Sequence, residues 1–152
     1  MFSEDYVIRM IEQLGAFVTH IAGLNEKGAH DQALDAADQA WGKLIDAPRA
    51  LIDAVDTPTL AGMLRDPAKI RAAALLLYEE GRALAGNGDP LHAQVRYRRA
   101  LELMLELRTI DPSKPLPQDE AACRKLASLV PASMLDRRYQ GYQGHQAHAA
   151  PG

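Results

Sequence analysis

Apolar residues recur at three- and four-residue steps along most of this chain. From residue 5 to residue 24 the series Val7, Met10, Ile11, Leu14, Phe17, Val18, Ile21 and Leu24 draws one stripe, which predicts a helix. Ser3 is its expected N-cap, and Glu4 and Asp5 put negative charge where the helix dipole favours it. Asn25-Glu26-Lys27-Gly28 reads as a turn. A second helix is expected over residues 31–46, with Ala33, Leu34, Ala37, Ala40, Trp41, Leu44 and Ile45 facing inward.

Proline then punctuates the pattern, in Ala47-Pro48, Thr57-Pro58, Asp66-Pro67, Asp89-Pro90 and Asp111-Pro112. Proline fits the first turn of a helix and breaks an interior one, and a preceding Asp or Thr can cap the start. One or two short helices are therefore expected between Pro48 and Leu64, a long one over 67–85, and another over 90–110. Gly86-Asn87-Gly88 is the strongest helix stop in the chain and joins the last two. Both long helices are apolar on more than one face, as expected of helices packed between neighbours. After the link Pro112-Ser113-Lys114-Pro115-Leu116-Pro117, a further helix is expected over 119–130, and Pro131 restarts a short one through Arg138. No strand-like alternation occurs, so the expected fold class is all-α.

Two stretches sixty residues apart match each other. Leu77, Glu80-Gly81, Leu84, Gly88, Ala93, Tyr97 and Ala100 stand over Phe17, His20-Ile21, Leu24, Gly28, Ala33, Ala37 and Ala40. The spacing resembles the tetratricopeptide hairpin, with bulky residues on a first helix, a glycine turn, then small and aromatic residues on a second. The resemblance implies antiparallel helical hairpins over 5–46 and 67–110. Gly81 is expected opposite Ala93 or Ala100, with Tyr97 filling the space between the helices. Two positions depart from the pattern, Ile21 in place of the glycine and Ala37 in place of the aromatic. Tandem repeats of this kind recur near 34 residues, so a sixty-residue offset implies a compact bundle rather than an open superhelix. The run Glu4-Asp5-Tyr6-Val7-Ile8-Arg9-Met10-Ile11-Glu12-Gln13-Leu14 also resembles the opening of a small bacterial family without assigned function. That likeness implies a cytoplasmic helical protein and brings no activity with it.

The chain's 152 residues favour one domain with a sizeable core. Residues 1–138 read as that helical domain, and 139–152 as a polar tail rich in Gly, Gln and His, expected to be dispensable for folding. A composition of 47% hydrophobic and 24% charged residues is ordinary for a globule, while only 5% aromatics suits helices packed through small side chains. A net charge of −3 gives no electrostatic reason to expect nucleic acid. The single cysteine excludes an intrachain disulfide, the acidic opening is unlike a secretory signal, and no apolar run suits a bilayer crossing. A cytoplasmic location without membrane contact is expected.

Candidate chemistry is sparse. His20, His30, His92, His145 and His148 lack metal-site spacing, so no metal is expected. Cys123, beside Arg124 and Lys125, reads better as a buried small residue than as a nucleophile. Arg96 and Arg99 are spaced for helical salt bridges with Glu102 and Glu106. Glu79-Glu80 and Asp119-Glu120 are adjacent, so each pair points in two directions and forms no acid/base couple. Neither catalytic residues nor a cofactor are expected. The function that follows is a non-enzymatic interaction or adaptor module for a protein or peptide, or a homo-oligomer. Tyr78 and Arg82 on the first-helix surface, and Tyr139 and Tyr142 in the tail, are its candidate contact residues. The alternative is an enzyme or ligand-binding bundle with a site between helices, using Arg82, Tyr78 or His20.

Overall fold

The computed structural model describes residues 4–110 and 116–142, with the backbone alone at 4–7 and 11. Ser3, most of the Pro112–Pro117 link and both His145 and His148 lie outside these residues. Seven α-helices are described: α1 (Glu4–Glu26), α2 (His30–Leu44), α3 (Arg49–Ala54), α4 (Thr57–Leu64), α5 (Pro67–Gly86), α6 (Pro90–Ile110) and α7 (Pro117–Leu129). No strand occurs among the described residues, and the all-α expectation stands.

The prolines act as starts. Pro58, Pro67 and Pro117 occupy the first or second position of α4, α5 and α7, where a missing N–H costs nothing. Asp56 accepts the Thr59 N–H at 2.9 Å and Asp66 accepts that of Ala68 at 2.7 Å, satisfying donors that each helix leaves open.

The two sequence-related turns have the same hydrogen bonds. Gly28 N–H donates to the Asn25 carbonyl and Ala29 N–H to Leu24, at 3.0 and 2.8 Å. Sixty residues on, Gly88 N–H donates to Ala85 and Asp89 N–H to Leu84, at 3.0 and 2.9 Å. Both glycines sit at φ near +80° (79° and 81°), where a Cβ is disfavoured.

α5 is the central helix. It packs along α6 over most of its length and also against α1, α2 and α4, while α7 lies on α6. Its burial on several sides, from Ile70 and Ala73 through Leu76, Leu77 and Ala83, follows from that position. The crossing of α5 and α6 differs in detail from the expectation. Gly81 lies against Tyr97 rather than Ala93 or Ala100, and a Cβ there would stand 2.6 Å from Cδ1 and 2.9 Å from Cζ of the Tyr97 ring. Ala93 and Ala100 are buried in the same interface.

The chain end also differs. In place of one short helix after Pro131 there are two single 3₁₀ turns, Ala132–Met134 and Arg137–Tyr139. The N–H of Asp136 donates to the buried Glu102 carboxylate at 3.0 Å instead of a helical carbonyl, which interrupts the ladder. Tyr139, assigned to a dispensable tail, is only 6% exposed within its own chain.

Candidate docking face

Four carboxylates on α5 and α6 are buried, and each is supplied with donors by other parts of the chain. Glu80 receives Arg49 in a two-pronged contact, 2.7 Å at each oxygen, with Trp41 Nε1 at 3.2 Å and Arg96 Nε at 3.3 Å. Arg49 also stacks on the Trp41 ring, 4.8 Å from its centroid. Burial by itself would lower the Arg49 pKa, but the hydrogen bond and charge of Glu80, with Asp53, hold it above its ordinary value. Glu79 takes Asn25 Nδ2 at 2.9 Å and Arg82 Nη1 at 3.0 Å. Asn25 Oδ1 in turn accepts from His30 Nδ1 at 2.9 Å, the tautomer with its proton on Nδ1 being the one this contact requires. Glu102 accepts from the Thr57 hydroxyl at 2.7 Å. Glu106 accepts from Arg138 Nε at 2.8 Å and the Tyr139 hydroxyl at 2.7 Å.

These are clamps between elements. Glu79 and Glu80 point to different partners, as their adjacency predicts. The salt bridges expected along α6 do not form: Arg96 pairs with Glu80 across the hairpin, Arg99 gives a hydrogen bond to the Val55 carbonyl at 2.6 Å, and Glu106 is taken by Arg138. The sequence could not show this, because i,i+3 spacing records proximity on one helix and not competition from another.

Cys123 is buried at 1% exposure, and burial pushes its thiol up from the ordinary value. No cluster of three or more His, Cys, Asp or Glu side chains able to hold a metal occurs among the described residues.

Of the expected contact residues, Tyr78 and Arg82 come together on α5, with the guanidinium 5.9 Å from the ring centroid. Arg82 already holds Glu79 and has a carboxylate in hand. Tyr78 is half-buried, with Lys125 Nζ from α7 5.2 Å above its ring. His20 is exposed on α1. Tyr139 is enclosed by its own chain through Glu106, and Tyr142 is half-buried with Arg108 5.2 Å over its ring. The two tail tyrosines therefore pack on this chain itself, and Tyr139 offers a partner no accessible ring.

What remains on the surface around Tyr78 is an apolar strip. Between α1 and α5 lies a groove of about 270 Å³ bordered by Leu14, Val18, Ala72, Leu75 and Leu116. Between α5 and α7 lies a smaller dip of about 90 Å³ bordered by Leu75, Tyr78, Ala122, Lys125 and Leu126. Leu75, 41% exposed, belongs to both and joins them. Arg71 pins α7 beside α5 by placing Nε 3.0 Å from both oxygens of Asp119. Sequence reasoning missed Leu75, because a helix apolar on several faces does not reveal which face is left uncovered.

No helix among the described residues is long and apolar enough to cross a membrane. Compared with protein-family models, with curated proteins and with solved structures, the chain finds no match.

Proposed function

We propose that this chain is a non-enzymatic interaction module of tetratricopeptide-like build, whose α1–α5–α7 face seats an apolar segment of a protein partner. The observation that carries the reading is the strip joined by Leu75, in which first helices of two sequence-related hairpins and α7 contribute side by side. Shared turn geometry at Gly28 and Gly88 supports the kinship of the hairpins. The buried acids count against general acid/base work at this face, since each is held by donors of the chain itself. The dip beside Tyr78 is also small against the roughly 300 Å³ at which ligand pockets begin, which favours side chains of a partner over a free small molecule. Lys125 at the rim suits a segment with an acidic residue flanking its apolar ones.

The test is to pan a random peptide library on the intact chain. A shared motif of apolar residues is expected, bound by the wild type and weakened at least about tenfold by Leu75→Glu, which removes an apolar contact and buries a charge. Absence of any motif, or binding indifferent to Leu75, would remove the proposal.

A further inference from the structure

α6 carries Arg96, Arg98 and Arg99 within one turn, and the three are partnered unequally. Arg96 forms an ion pair with Glu80 at 3.3 Å, although its buried Nε makes no hydrogen bond among the described residues. Arg99 spends one terminal nitrogen on the Val55 carbonyl, but its Nη1 is buried with no acceptor among the described residues. Arg98 has its Nε buried in the same condition, and it makes no ion pair among the described residues. Both line a cleft of about 350 Å³ between the start of α4, the middle of α6 and the Arg137–Tyr139 turn.

Asp56, Glu102 and Asp136 line the same cleft, and each already accepts a hydrogen bond from the chain. Asp56 caps α4 through Thr59, and Glu102 accepts from Thr57 and from the Asp136 N–H. Asp136 accepts the Arg138 N–H at 3.2 Å, and Asp53 is held by Arg49 at 3.1 Å. Arg138, the third arginine at the cleft, is committed to Glu106. One nitrogen of each guanidinium, Arg98 Nε and Arg99 Nη1, is thus withdrawn from water without an acceptor among the described residues, an arrangement that costs free energy until an anion arrives. Burial is the largest influence on Arg99 and, with the charge of Arg98, holds it below its ordinary value against the charges of Glu102, Asp53 and Asp56. The chain is net negative, so general attraction does not account for an anion here.

We propose that this cleft is a binding site for an oxyanion, a carboxylate or phosphate group, held by Arg98 and Arg99. A planar guanidinium offers parallel donors that match either group. The site is separate from the α1–α5–α7 strip and stands or falls independently of it.

The experiment is a titration of the ¹⁵N-labelled intact chain with inorganic phosphate and, separately, acetate, at ionic strength held constant with chloride. The arginine Nε–H signals of Arg98 and Arg99 should shift saturably, with the tighter of the two anions identifying the group recognised. Arg98→Gln breaks no hydrogen bond among the described residues, so its circular dichroism should be unchanged while affinity falls at least about tenfold. Arg99→Gln should weaken binding too, with some loss of stability from the released Val55 carbonyl. Failure of both anions to saturate, or equal binding by folded Arg98→Gln, would overturn the assignment.

Discussion

Tyr139 shows how one residue can change the meaning of a segment. It follows Asp136-Arg137-Arg138 and precedes a run rich in glycine, glutamine and histidine, and nothing in either marks it as buried. What places it is a buried acid thirty-three residues earlier: Glu106 sits on α6 with a free lone pair, and the phenol hydroxyl fills it at 2.7 Å. Tyr139→Phe should therefore cost about 1.5–3 kcal/mol, the worth of a hydrogen bond to a charged group, measured by urea unfolding. Truncation after Arg138 should cost more, since it also exposes Leu135 and the Glu106 carboxylate, whereas truncation after Tyr142 should leave the melt unchanged. Equal melts for the two truncations would contradict this. Cys123 gives a second residue-scale expectation. With burial holding its thiol protonated, a disulfide reagent should react slowly with the native chain and rapidly in denaturant. Fast native reaction would show that the residue is reached by solvent.

At the scale of elements, the helices were legible because their boundaries are chemical. Asp before proline caps and starts, Gly28 and Gly88 stop, and the apolar period between them identifies a helix. The facing of helices was less legible. The sequence marks Gly81 as a close approach, but only the folded crossing shows that the Tyr97 ring occupies it. At the matching positions of the first hairpin stand Ile21 and Ala37, both at 0% exposure. Gly81→Ala gains roughly 1 kcal/mol of helix propensity, against an overpacking cost of about 1–3 kcal/mol from the ring. Net destabilisation is expected, and it should vanish in a Tyr97→Ala background. Gly42→Ala in α2, with nothing within 4 Å of the added Cβ, should instead stabilise by about 0.5–1 kcal/mol. Chemical denaturation of the four variants checks all of this, and a stabilising Gly81→Ala would refute the crossing.

For the whole molecule, the question is why stability and a free surface coexist. The clamps Arg49–Glu80, Arg71–Asp119 and Arg138–Glu106 tie α3, α7 and the chain end to the central pair of helices. Their acids were visible in the sequence as charges on otherwise apolar helices, but their partners lie 31 to 48 residues away, beyond what periodicity reports. With α7 held in this way beside α5, and α1 packed on its other side, Leu75 is left uncovered between two shallow depressions. Exposed apolar residues occur elsewhere too, and Leu91 on α6 is 80% exposed without lining either depression. That contrast makes the most direct measurement available. A methyl-labelled sample of the intact chain, titrated with the peptide that panning selects, should show saturable shifts at Leu14, Val18, Leu75 and Leu126, with Leu91 unmoved. Shifts centred on Leu91 and Val95, or spread evenly over all methyl groups, would contradict the docking face.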